Sequence, residues 1–267
     1  MSFTDQGSWP EGHPVSVDRA KELMRGDLGR YNFEILARIC SPIYWHLPDD
    51  SGARPIRANG TLSYVRAGEH VFGVTAAHVI AEYLSDARQP GCVFQLGNAE
   101  FTADIIDMDK RLDLATLRLD EKVLASVGKE IMPVSLCRPQ DVPQEGRGIM
   151  MCGYIGEERQ ELPNRQVGWG MLGVVGISRR VSEDQITWAP DHDHHIPVPG
   201  VPQLPRNKNL GGISGGPLIA WFEKPETHFT YFSLAGVVKE ASAELEYVVA
   251  TRSHFIRPDG RIESQER

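Results

Sequence analysis

The spacing of apolar positions along this chain changes near residue 60. Before it, Val17, Ala20, Leu23 and Met24 recur at helical intervals behind Ser16, a side chain suited to capping a helix N-terminus, and the run stops at Gly26. That spacing predicts a helix over 16–26. Residues 1–15 are polar and carry Gly7, Pro10, Gly12 and Pro14, the composition of a loose tail. The apolar stretch 33–44 fits helix and strand equally, and 48–58 is rich in turn formers.

After Asn59-Gly60 the pattern becomes short β runs. Residues 61–65 and 70–75 are joined by Arg66-Ala67-Gly68-Glu69 and read as a hairpin. Further runs fall at 92–96, 101–107, 114–119, 149–154, 170–177, 185–188, 217–222, 229–238 and 247–250, separated by Gly, Pro, Asn or Asp. Many short strands with such punctuation indicate an all-β sandwich or barrel rather than alternating strands and helices. A short helix is expected over 251–256. The organisation expected is an N-terminal extension, 1–55, partly helical; a β domain over 56–256, its halves near 56–125 and 130–256; and a charged tail, 257–267.

Composition narrows the function classes. A net charge of −8 and the absence of any basic run argue against a nucleic-acid partner. No apolar stretch is long enough to span a membrane. The N-terminal sequence lacks a basic start followed by an apolar core, and Cys40, Cys92, Cys137 and Cys152 show no C-x-x-C spacing. A cytoplasmic chain with free thiols is therefore expected.

Three segments carry chemistry. In Gly211-Gly212-Ile213-Ser214-Gly215-Gly216-Pro217, glycines flank a serine, leaving its hydroxyl accessible and its neighbouring amides free to face a developing oxyanion. Taken alone, this is also the look of a glycine turn before a buried strand. Thr75-Ala76-Ala77-His78-Val79 places a histidine at a strand end, where a general base is rigidly held; a structural histidine has the same look. Asp113-Leu114-Ala115-Thr116-Leu117 starts an apolar run with an acid, which by itself reads as a turn aspartate. Asp104, Asp107 and Asp109 are competitors, but none precedes such a run.

Together, the order His, Asp, Ser and the strings TAAHV, DLATL and GISGGPL resemble the chymotrypsin-like (trypsin-fold) serine peptidases, in particular the bacterial branch of the high-temperature-requirement proteases. The resemblance covers residues 56–256. It implies two six-stranded antiparallel β-barrels, a catalytic triad of His78, Asp113 and Ser214, and an oxyanion hole from the amides of Gly212 and Ser214. It implies a peptide or protein substrate laid along the strand containing Val238, Lys239 and Glu240, and neither metal nor organic cofactor. Lys208, six residues before Ser214, would fall in the specificity pocket and, with Lys239, would favour acidic side chains.

The sequence also departs from the digestive enzymes of that family. Ile213 stands where they carry an acid, and no activation sequence precedes the domain, so no activating cleavage is expected. Two other readings remain open: a non-catalytic trypsin-fold module that binds a peptide or protein, and a protease active only when a partner or oligomer orders its site. The run Asp191-His192-Asp193-His194-His195 has metal-binding side chains, but in a proline-rich loop it reads as solvated. Trp169, Trp188 and Trp221 read as core or barrel-surface residues.

Overall fold

The computed structural model describes residues 13–51, 53–137, 141–162, 166–188, 208–224, 226–227, 229–242 and 247–263. The chain begins with β1 (His13–Pro14), α1 (Val17–Met24) and α2 (Gly26–Ile39). Ser16 caps α1, its hydroxyl oxygen accepting from the Arg19 amide at 3.3 Å. In α2, Gly29, Asn32, Leu36 and Ile39 form one buried stripe at helical spacing. The helix stops because Pro42 disfavours helical geometry at Ser41, and Cys40 is already extended. The ambiguous stretch 33–44 is thus both things, helix to Ile39 and then strand β2 (Cys40–His46).

The first sheet continues with β3 (Ile56–Ala67) and β4 (His70–Thr75), the expected hairpin. After α3 (Ala77–Asp86) come β5 (Val93–Leu96), β6 (Ala99–Glu100), β7 (Ile105–Asp109) and β8 (Leu114–Arg118), then α4 (Glu121–Ser126) and β9 (Val134–Ser135). Among the described residues the strand order is β6-β5-β2-β3-β4-β8-β7, all antiparallel, with β9 added in parallel to β3. β2 precedes residue 56, yet it is hydrogen-bonded along β3 and β5 as an integral strand of this sheet.

The second sheet contains β10 (Gly148–Leu162), β11 (Gln166–Val181), β12 (Gln185–Trp188), β13 (Pro217–Lys224), β14 (Phe229–Ser242) and β15 (Tyr247–Arg252), followed by a 3-10 turn at Ser253–Phe255. Its order is β1-β13-β10-β11-β12-β15-β14, and β14 pairs back onto β13. The β10–β11 hairpin extends well past the apolar runs that announced it. Its outer part, from Arg159↔Trp169 to Leu162↔Gln166, follows a register shift after Tyr154. Those outer residues of β10 are mostly exposed and polar, so they carry no alternating apolar signal.

The three largest of four apolar clusters among the described residues hold this together. One lies within the first sheet, around Ile43, Trp45, Leu62, Tyr64 and Phe94. Another lies within the second, around Ile149, Ile186, Trp188, Phe222 and Val248. The third joins both sheets to α2 through Leu36, Ile39, Val65, Val74, Met150, Ile219 and Leu234. Each fully buried Leu, Ile or Val contributes about 1.5–3 kcal/mol of transfer free energy, so the N-terminal helices are part of the core that fixes the two sheets. β1 belongs to the same assembly: Val15 donates to the Trp221 carbonyl at 3.2 Å, beside the β1–β13 pairing.

Candidate active site

β3 is buried on both faces from Gly60 to Val65, and its alternation assigns each face a task. Leu62 and Tyr64 enter the first-sheet core. Thr61 and Ser63, on the opposite face, meet the segment that carries Ser214.

Ser214 lies in a tight turn before β13, and hydrogen bonds pin every peptide plane around it. The Gly211 carbonyl accepts from the Gly156 amide at 2.9 Å, the Ile213 carbonyl from Gly216 at 2.8 Å and the Ser214 carbonyl from Thr61 at 2.9 Å. The Gly212 carbonyl accepts from the Thr61 hydroxyl at 3.1 Å, and the Gly215 carbonyl from the Ser63 hydroxyl at 2.9 Å. On the second-sheet side, Gly215 donates to the Val238 carbonyl at 2.7 Å and Val238 donates to the Gly216 carbonyl at 2.9 Å.

A trans peptide points its N–H opposite to its C=O. Fixing the carbonyls of Gly211 and Ile213 therefore fixes the amides of Gly212 and Ser214. Neither of these two amides has an acceptor among the described residues, whereas Ile213 donates to Leu210 and Gly216 donates to Ile213. The turn thus ends with two free, oriented N–H groups next to a serine hydroxyl.

The glycines are required by this geometry. Gly212 and Gly215 have φ of 98° and 89°, values that side-chain-bearing residues rarely adopt. A Cβ at Gly215 would fall on the Thr61 carbonyl and the Thr75 hydroxyl, and one at Gly216 on the Cys152 carbonyl. Ile213 is buried among the apolar side chains of the second sheet, so an apolar contact anchors the turn at that position.

His78 is in the first turn of α3, not at the end of the preceding strand; β4 stops at Thr75. The strand ends there because Ala76 and Ala77 turn into a helix whose first N–H groups lack partners within the helix. One of them, the His78 amide, donates to Asp113 Oδ1 at 2.8 Å, and Oδ2 of the same carboxylate meets His78 Nδ1 at 2.8 Å. One carboxylate thereby holds both the helix N-terminus and the imidazole.

Asp113 closes the β7–β8 turn with φ of 56°, a left-handed conformation that aspartate tolerates. Asp109 Oδ1 stabilises this turn by accepting from Arg111 and Leu112 at 2.8 and 2.9 Å. From the second sheet, the Thr251 hydroxyl donates to the Leu112 carbonyl at 2.5 Å. The competing acids have other partners: Asp104 pairs with Arg118, and Asp107 accepts from the Ile262 amide.

Electrostatics follow the contacts. The hydrogen bond to Asp113 raises the His78 pKa above its usual value, against partial desolvation. Burial pushes the Asp113 carboxyl upward, but the His78 bonds and the charges of His78 and Lys239 outweigh it, holding the carboxyl below its usual range. Nδ1 is engaged by the carboxylate, leaving Nε2 as the nitrogen available to a substrate.

No hydrogen bond joins Ser214 Oγ to His78 among the described residues; the hydroxyl makes a long contact, 3.5 Å, to the Lys239 carbonyl. The Lys239 peptide is therefore beside the serine, and the Lys239 charge helps to lower the Asp113 pKa. Glu240 is exposed and accepts from the Tyr247 phenol. Lys208 is ion-paired with Glu158, and that pairing offsets the positive charge expected there to attract acidic side chains.

Among the described residues no three His, Cys, Asp or Glu side chains form a metal cluster. The run 191–195 lies outside the described residues. No helix among them is long and apolar enough to cross a membrane. Trp188 and Trp221 are core residues and Trp169 packs at the core edge, as their sequence context suggested. Sequence reading missed Thr61, Ser63 and Gly156, and gave Thr75 no role beyond its place in the TAAHV segment. Its only available signal was two small hydroxyl residues at alternate positions of an otherwise apolar strand.

Scanned against protein-family models and against curated proteins, the chain matches none.

Proposed function

We propose that the chain is a serine endopeptidase of the trypsin-like kind, acting through an acyl-enzyme on Ser214. Three observations support the reading: Asp113 holds the imidazole of His78, two amides without acceptors among the described residues flank the Ser214 hydroxyl, and Val79, next to His78, packs with the Ser214 carbonyl around Gly60 of β3. In the proposed cycle Ser214 Oγ attacks the scissile carbonyl carbon while its proton passes to His78 Nε2. The amides of Gly212 and Ser214 receive the oxyanion, and Asp113 stabilises the imidazolium. Collapse of the tetrahedral species expels the amine, which takes the proton from Nε2. Water then repeats the sequence on the ester, with His78 as base. The protein's own groups supply every step, and no cofactor is invoked.

The pairings support the finer architecture too. The circuit β13-β10-β11-β12-β15-β14 and back to β13 is what a six-stranded barrel requires, and we read the first sheet as its counterpart. An extended peptide would lie along Val238, Lys239 and Glu240 of β14, adding its backbone to the sheet. A polypeptide substrate, rather than nucleic acid or membrane, and a cytoplasmic setting complete the proposal.

A fluorophosphonate probe followed by intact-mass analysis tests it. Wild type should gain one adduct and Ser214→Ala none, and a peptide library should be cleaved only by wild type. A folded wild type that takes no adduct overturns the reading. The Ser214 hydroxyl turned toward Lys239 favours one variant of it, in which a bound peptide or partner swings the hydroxyl toward Nε2. In that case labelling accelerates when a partner is added.

A further inference from the structure

We infer that the hydroxyl of Thr61 is a positioning group for the oxyanion site, acting as a latch on the Gly212 carbonyl; this rests on the peptidase reading above. Thr61 is fully buried and uses every polar atom it has. Its Oγ1 accepts from the Tyr154 amide at 2.9 Å and donates to the Gly212 carbonyl at 3.1 Å. Its amide donates to the Ser214 carbonyl at 2.9 Å, and its carbonyl accepts from the Thr75 hydroxyl at 2.7 Å. The Tyr154 amide occupies one lone pair of the hydroxyl, so its single proton goes to Gly212.

This contact matters because of where it acts. Gly212 is at φ 98°, and a glycine there rotates with little steric resistance. The peptide preceding Gly212 carries one free amide, and the peptide preceding Ser214 carries the other. The Gly212–Ile213 peptide lies between them. It is held at one end by Thr61 and at the other by the Ile213 amide on Leu210, 3.1 Å away. Releasing the Thr61 end loosens the ψ angle of Gly212, the link between the two amide planes, and leaves their mutual orientation to the Gly156 and Gly216 bonds alone. Thr61 touches no reacting atom; it acts through backbone, and it links the loop to β4 through Thr75, three residues before His78.

The discriminating comparison is Thr61→Val, which keeps shape and loses the hydroxyl, against Thr61→Ser, which keeps the hydroxyl. The readout is the second-order rate of fluorophosphonate adduct formation, followed from pH 5 to 9 and paired with thermal midpoints. Loss of one oxyanion donor typically lowers turnover about 10²–10³-fold. Loss of a latch behind the donors should lower the labelling rate about 10- to 100-fold in Thr61→Val, equally at all pH, leaving the His78 midpoint in place. Thr61→Ser should recover to within about threefold of wild type.

If Thr61→Val does not fold, Thr61→Ala carries the same comparison with a void in place of the misplaced methyl. Wild type that labels while the hydroxyl-free variant labels within threefold of it overturns the latch. So does an equal loss in Thr61→Ser. Wild type that does not label at all overturns the peptidase reading instead, so the two failures are distinct.

Discussion

The two halves of the candidate site are built in opposite ways. His78 and Asp113 hold each other through side chains, one of them half exposed, and their geometry depends on charge. The Ser214 turn is held mostly by backbone, with carbonyls pinned from Gly211 to Gly216, two of them by hydroxyls of β3, and the Asn209 side chain accepting from the Gly211 amide. The first half is tunable by pH and by one charge. The second is indifferent to charge and intolerant of added atoms. The division suits the chemistry, since a base must change protonation state during a cycle while an oxyanion site must stay where it is.

The sharpest way to break the comparison is to add one carbon to the rigid half. Gly215→Ala places a methyl on the Thr61 carbonyl at a φ of 89°. A loss of more than about 4 kcal/mol in urea unfolding is expected, with no labelling by fluorophosphonate. A stable, active Gly215→Ala protein would show that the turn relaxes easily and that its rigidity is not what orients the amides. Next in size comes the tunable half. Asp113→Asn keeps an oxygen for the His78 amide but favours the wrong imidazole tautomer, so turnover should fall about 10³–10⁴-fold while the fold survives. A fall under tenfold would remove Asp113 from the proposed triad.

A smaller effect separates holding the turn from completing it. Ser63→Ala leaves the buried Gly215 carbonyl without its hydroxyl donor, a loss of about 1–3 kcal/mol. Labelling should nevertheless stay within about tenfold, because Val238 still holds Gly215 and Gly216 from the second sheet. Denaturation midpoints and labelling rates on the same samples check both parts.

The same division explains what was legible in the sequence. His78, Asp113 and Ser214 stood out because chemistry needs those residue types, and GISGGPL stood out because only glycine fits such a turn. Strands were legible wherever one face is apolar, as in 185–188, where expected and observed bounds coincide. The outer β10–β11 hairpin was not, since solvated pairs leave no apolar signal. β1 was hidden as well: two residues, one of them proline, gain strand character only from the edge of β13. Thr61 and Ser63 were unreadable for a different reason. Their partners are carbonyls about 150 residues away, and a carbonyl has the same appearance at every position of a sequence.

The smallest expected effect is a displacement along the pH axis, and it moves stability and activity in opposite directions. The ordinary His value is 6.5, and Asp113 raises it in the folded protein. Stability from the charged pair is therefore complete below 6.5 and is lost as pH rises through the raised His78 value. On the acid side the ordinary Asp value is 3.8, lowered in the fold, so that stability is complete above 3.8 and is lost as pH falls through the lowered value. The gap in thermal midpoint between wild type and Asp113→Asn should be widest between 3.8 and 6.5 and narrow above the raised His78 value. Activity should do the reverse, rising as His78 loses its proton. NMR titration of the His78 ring in Ser214→Ala gives the midpoint without turnover. A midpoint above 6.5 that drops toward it in Ser214→Ala/Asp113→Asn is the expected result. A midpoint already at or below 6.5 would mean that the carboxylate does not hold the imidazole in solution, and the tunable half of the site would lose its physical basis.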